Sequence, residues 1–153
     1  MFKTIYAIIL LALPVAGSTA VPVEAEIDRD IVVTAMEDAC RILEGVVACP
    51  DSLPVAVTTG MKSGLWGFYA GGSIVFINDI LWGIQWDTFG YAILAHEIVH
   101  YMVEHDPVLA GIYVCPNEAF AWNVYNTIVQ GLGRDDLYFP DWQVGYPQCQ
   151  KRD

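Results

Sequence analysis

The sequence predicts an α+β fold: one small domain with a helix at its start, a short antiparallel sheet built on a hairpin, and two helices after it. Three observations carry that expectation. Apolar residues recur at helical spacing through residues 28–43 and fill residues 88–104. Between these segments, residues 53–79 hold β-branched and aromatic runs broken by the pair Gly71-Gly72. More than half of the 153 residues are apolar and charged ones are scarce, which specifies a folded core and excludes a disordered chain.

The elements follow in order. Ile31, Ala35, Ala39 and Ile42 line one face of the first helix, and Gly45 stops it. Residues 53–59 read as a strand. L-W-G-F-Y-A and S-I-V-F-I-N-D then flank the glycine pair as the two arms of a hairpin. The next helix starts near Asp87 or Thr88, both good caps, and runs to about residue 104. Asp106-Pro107 ends it, because proline pushes the preceding residue out of helical geometry. Pro116 opens the last helix, which stops at Gly131 and Gly133. The aromatic, proline-containing tail from residue 135 reads as irregular coil.

Residues 1–20 have the layout of a signal peptide: Lys3, an apolar run, then Ser18-Thr19-Ala20 as a small-residue cleavage site. The run is too short to span a bilayer and Pro14 interrupts it. The expected mature domain is residues 21–153, exported to a periplasmic or extracellular space, with no stable membrane insertion after cleavage. Four cysteines without C-x-x-C spacing suit an oxidising compartment. Three pairings are open. Cys40 with Cys49 and Cys115 with Cys149 is favoured, closing one short loop and tying down the tail. A net charge of −11 repels phosphate backbones, so nucleic acid is not an expected partner.

One segment carries the chemistry. From residue 91 to 103, the only ionisable side chains besides two tyrosines are His96, Glu97 and His100. Residues four apart share a helix face about 6 Å apart along the axis, so both imidazoles can aim at one point. A helix this apolar belongs in an interior, where a carboxylate and two imidazoles are costly unless something pairs with them. A bound dication does so, and H-E-x-x-H is the spacing of two zinc ligands with a general-base glutamate. A third ligand is needed. The candidates are His105, Asp106 and Glu118. Val103 is a poor occupant of the turn that would bring Asp106 back, and Asp106 already serves to end the helix. Glu118 is the only charged residue between Pro107 and Gly133, so Glu118 is the expected ligand.

H-E-I-V-H at residues 96–100, followed by N-E-A-F-A at residues 117–121, resembles the gluzincin group of zinc metallopeptidases. The resemblance covers roughly residues 65–130. It implies a zincin-like domain with Zn2+ held by His96, His100 and Glu118, with Glu97 as the base. It also implies a substrate-pairing edge strand, which by analogy places residues 73–78 along the cleft. The chain departs from the larger relatives in a slightly shorter interval to Glu118, in the lack of a later histidine, and in having no room for their C-terminal lobe. Tyr101, Tyr113 and Tyr125 are the tyrosines nearest the motifs, each better read as packing. The expected function is an exported zinc-dependent peptidase acting on peptide or protein substrates. The alternative is a non-catalytic exported zinc-binding protein, closed by a fourth ligand such as His105 or Asp106.

Overall fold

The structure, a computed structural model, describes residues 29–53, 55–58, 67–70, 73–77 and 88–150. The expected signal peptide, the Gly71-Gly72 turn and the cap at Asp87 lie outside the described residues. Helix α1 is Arg29–Ile42, followed by strands β1 Val55–Thr58, β2 Gly67–Ala70 and β3 Ser73–Ile77. Helix α2 is Thr88–His105 and α3 is Val114–Gly131.

Helix α2 is the centre of the molecule. Residues 92–99 are all buried, because α1, α3, β2 and β3 pack around it. The amphipathic stripe of α1 supplies Ala35 and Ala39 to the core, with Leu43 and Val47 just beyond. Helix α3 supplies Ala121, Val124, Tyr125, Ile128 and Val129, the i, i+3, i+4 pattern of a helix with one buried face. Gly45 ends α1 with φ of 75°, a conformation that costs a residue with Cβ more than glycine. The Val46 and Val47 N–H groups then donate to the Leu43 carbonyl at 2.9 and 3.1 Å.

The expected α+β class is corrected: the fold is predominantly helical. Helices α1, α2 and α3 run 14, 18 and 18 residues, and they bring together the buried cluster around Ala35, Leu94, Ile98 and Val124. The three strands are four or five residues long, too short to dominate a core. Nor is their small sheet simply antiparallel. Its order is β1-β3-β2, with β1 parallel and β2 antiparallel to β3. The β-branched and aromatic content of residues 53–79 gave the sheet too much weight, because local propensity does not say which layer buries the larger area.

The last helix starts at Val114, two residues before Pro116. The tail is irregular apart from three short 3-10 turns at Asp135–Leu137, Trp142–Gly145 and Pro147–Cys149. Disulfides join Cys40 to Cys49 and Cys115 to Cys149. Two disulfides fit an oxidising, exported compartment. No described helix is long and apolar enough to cross a membrane.

Candidate metal centre

Helix α2 stacks His96 and His100 one turn apart, and α3 crosses it with Glu118 in its first turns. The imidazole Nε2 atoms lie 3.2 Å from each other. Glu118 meets both: Oε2 is 3.6 Å from His96 Nε2, and Oε1 is 3.6 Å from His100 Nε2. Those carboxylate contacts are too long for hydrogen bonds. They are close to the spacing of atoms around a common cation. Zinc bonds of about 2.0–2.1 Å at tetrahedral angles separate neighbouring ligand atoms by about 3.3 Å. One ligand atom from each of the three residues falls within 4.8 Å of the others, so the group can hold a metal ion.

Hydrogen bonding around the group supports this fit. Asn117 Oδ1 lies 2.8 Å from His100 Nδ1. An amide oxygen only accepts, so the ring proton sits on Nδ1 and Nε2 presents its lone pair to the cluster. Three buried side-chain atoms among the described residues make no hydrogen bond of good geometry: His96 Nδ1, which has the Ala121 backbone near it, and Glu118 Oε2 and Trp122 Nε1, whose side chains adjoin each other. All three belong to this cluster. Buried polar atoms are nearly always paired, so such a concentration marks a place where a partner of another kind is needed. Trp122 also packs edge-on to the His96 ring at 4.5 Å.

The electrostatics have the same sense. Burial holds the His96 imidazole well below its usual range, and the neighbouring His100 adds to the effect. Burial lowers His100 too, against the pull of Asn117. Both rings are therefore neutral and free to ligate at neutral pH. Burial pushes Glu97 up to about 8, with the Glu118 carboxylate adding to it and the Tyr69 backbone N–H opposing it. Burial likewise raises Glu118 to about 7, against a hydrogen bond from the Tyr146 hydroxyl. A pocket that disfavours every charge of its own is one where a dication inverts the balance and holds both carboxylates ionised.

The other candidates point elsewhere. The Asp106 carboxylate accepts the N–H groups of Ala48, Val108 and Leu109 at 2.7, 2.7 and 2.9 Å, so it is spent on the loop after α2. His105 is exposed, stacks on Tyr101 at 4.0 Å and faces the Tyr101 carbonyl. Tyr113 is 87% exposed. The Tyr125 hydroxyl donates to the Leu137 carbonyl. Residues 73–78 do not form the expected free edge: β3 is the central strand, paired on both sides, and Asn78 lies outside the described residues.

Two residues at the site were missed from sequence, Trp122 and Tyr146. Trp122 lies one turn beyond Glu118 on α3, a position that shares its face. Tyr146 lies three residues before Cys149, just as Glu118 lies three after Cys115. Given the disulfide, that symmetry would have found it. Comparison with protein-family models, with curated proteins and with solved structures found no match.

Proposed function

We propose that this protein is an exported zinc-dependent peptidase. The observation that carries the reading is the arrangement of His96, His100 and Glu118, with separations of 3.2, 3.6 and 3.6 Å close to the edges of a zinc coordination tetrahedron. Two imidazoles and one carboxylate favour zinc over the hard cations, which take oxygen ligands. The gluzincin-like pairing of H-E-x-x-H with a later N-E on a second helix supports the same set. A closed structural site would need a fourth protein ligand. Among the described residues, the two candidates for it, His105 and Asp106, are engaged elsewhere.

Zinc in such a site supplies Lewis acidity and lowers the pKa of water towards about 7. Glu97 is the residue to move the proton. Its carboxyl is buried beside the Tyr69 backbone and Glu118, next in sequence to His96, and a bound dication would hold it ionised and able to accept a proton. It accepts a proton from the attacking water and hands it to the leaving amine. Asn117 keeps His100 oriented throughout, and the apolar walls of α2 keep bulk water from competing.

The test pairs metal analysis of the mature protein with digestion of a peptide library. One zinc per chain is expected, with cleavage abolished by a chelator and by Glu97→Gln, which retains the metal. A Glu97→Gln variant that cleaves as fast as the parent overturns the role of Glu97. A parent that takes up no zinc overturns the reading itself.

A further inference from the structure

His96 and His100 are oriented in different ways. The His100 ring is held by the Asn117 side chain at 2.8 Å. His96 Nδ1 makes no hydrogen bond of good geometry, although the Ala121 backbone lies near it. The torsion that turns an imidazole about its Cβ–Cγ bond is broad, so it does not fix the ring plane by itself. A ligand ring without a strong hydrogen bond on its outer nitrogen has to be held by its neighbours. Two rings do this for His96. The His100 ring stands edge-on to it with centroids 4.9 Å apart, and the Trp122 indole stands edge-on at 4.5 Å. His100 is itself a candidate ligand, so the part of this clamp that belongs to the scaffold is Trp122.

The indole is held in turn by two more rings. Tyr125 meets it at 5.1 Å and 70°, and Phe139 meets it at 5.1 Å and 44°. Separations in this range are those of attractive, directional aromatic pairs. Tyr125 is buried and packs edge-on against Phe89, and its hydroxyl donates to the Leu137 carbonyl at 3.0 Å. Phe139 is 43% exposed, yet its backbone is clamped from both sides of the peptide. Its N–H donates to Asn126 Oδ1 at 2.8 Å, and its carbonyl accepts from Asn126 Nδ2 at 3.0 Å. Asn126 lies one turn beyond Trp122 on α3, so helix and tail close on the same indole. A half-exposed phenylalanine gains little from core burial. What it contributes here is a wall for Trp122.

We propose that Trp122 is a positioning residue for His96, setting the plane of the imidazole by ring packing, with Phe139 of the tail as its backstop. The proposal rests on the reading of His96, His100 and Glu118 as a zinc site. Trp122 acts through His96 and is not itself a ligand, since an indole N–H only donates. The two imidazoles of α2 are thus oriented by different physics, His100 by a hydrogen bond and His96 by packing.

Zinc affinity, measured by competition with a chromophoric chelator, tests this on the full mature chain, together with the visible bands of the cobalt-loaded protein. Trp122→Leu keeps an apolar side chain and removes the ring. It is expected to bind zinc about 10-fold more weakly than the parent, the lower end of the range for groups that orient metal-bound histidines. Its cobalt bands should also shift as one ligand ring relaxes, a signature that loss of general stability does not produce. Trp122→Phe keeps an aromatic edge and should stay closer to the parent on both readouts. Phe139→Ala, at a half-exposed position, should move the bands in the same sense and by less. Parental zinc affinity and cobalt bands in Trp122→Leu overturn the proposal while the zinc site stands. A Trp122→Phe variant as impaired as Trp122→Leu overturns it too, because a ring is then not what holds His96. Unchanged bands in Phe139→Ala remove the tail from the device, and they sink the whole proposal should Trp122→Leu fail to fold. If the parent binds no zinc, the proposal and the zinc site fall together.

Discussion

Asn117 and His100 are joined at 2.8 Å across the α2–α3 crossing, and the residue after Asn117 is Glu118. One turn of α3 therefore does two things: it places a candidate ligand, and it fixes the tautomer of another on the neighbouring helix. Replacing Asn117 with alanine should leave the helices intact and weaken zinc binding by about 10–100-fold, read by chelator competition. Asn117→Asp should recover part of the loss, because a carboxylate still accepts from Nδ1. Parental affinity in Asn117→Ala would show that packing alone orients His100.

Glu118 and Asp106 separate cleanly. Glu118→Ala should abolish zinc uptake and barely lower the melting temperature of the metal-free protein, since it removes a buried and disfavoured carboxylate. Asp106→Ala should do the reverse, keeping zinc but melting earlier, because three backbone N–H groups lose their acceptor. Loss of the metal in Asp106→Ala with retention in Glu118→Ala would exchange their roles.

The metal-free protein should lose stability as pH rises from 6.5 to 8. Glu97 and Glu118 have folded-state pKa values raised to about 8 and about 7, above the 4.5 of an ordinary glutamate. Groups raised in this way contribute fully below pH 4.5, and that contribution is lost as pH climbs through the folded values. His96 and His100 are lowered from 6.5 and act in the opposite sense, but only below that pH. The window above 6.5 therefore belongs to the carboxylates. Zinc reverses the trend, since binding requires ionised ligands, so the gap between loaded and metal-free melting temperatures should widen with pH. A gap that narrows over this window would contradict the burial of both groups.

Ala121 is fully buried where α3 meets α2, with its carbonyl facing the His96 ring. A larger side chain must push the helices apart. Ala121→Leu should destabilise the metal-free protein by about 1–3 kcal/mol. It should also reduce zinc affinity by spreading Glu118 from the histidines. Chemical denaturation and chelator competition on the same sample check both effects. Ala121→Gly, which adds no bulk, should leave the zinc site in place.

The parts of this protein that were legible in sequence are those where a polar residue stands alone in an apolar run. His96, His100 and Glu118 each announce a partner by their isolation, and the structure groups them. The expectation for residues 73–78 failed for a different reason. Strand propensity shows that β3 forms, but its neighbours in the sheet depend on β1 arriving parallel from a distant segment. Tyr146 was hidden because nothing in the tail has a period. Its place is set by a disulfide joining positions 34 residues apart. The weight given to the sheet was wrong because burial is decided by how α1 and α3 cover α2, which no single segment encodes.

Helix α1 donates no ligand, yet it is the datum from which the others are measured. The Asp106 carboxylate ties the loop between α2 and α3 to the Ala48 N–H, beside the Cys40–Cys49 bridge. The path from His100 to Glu118 is thus surveyed from a fixed post in the turn that follows α1. Evolutionary or engineered drift in that post, at residues remote from the metal, would be felt as a blurring of coordination distances and of metal preference, long before it was felt as a loss of binding.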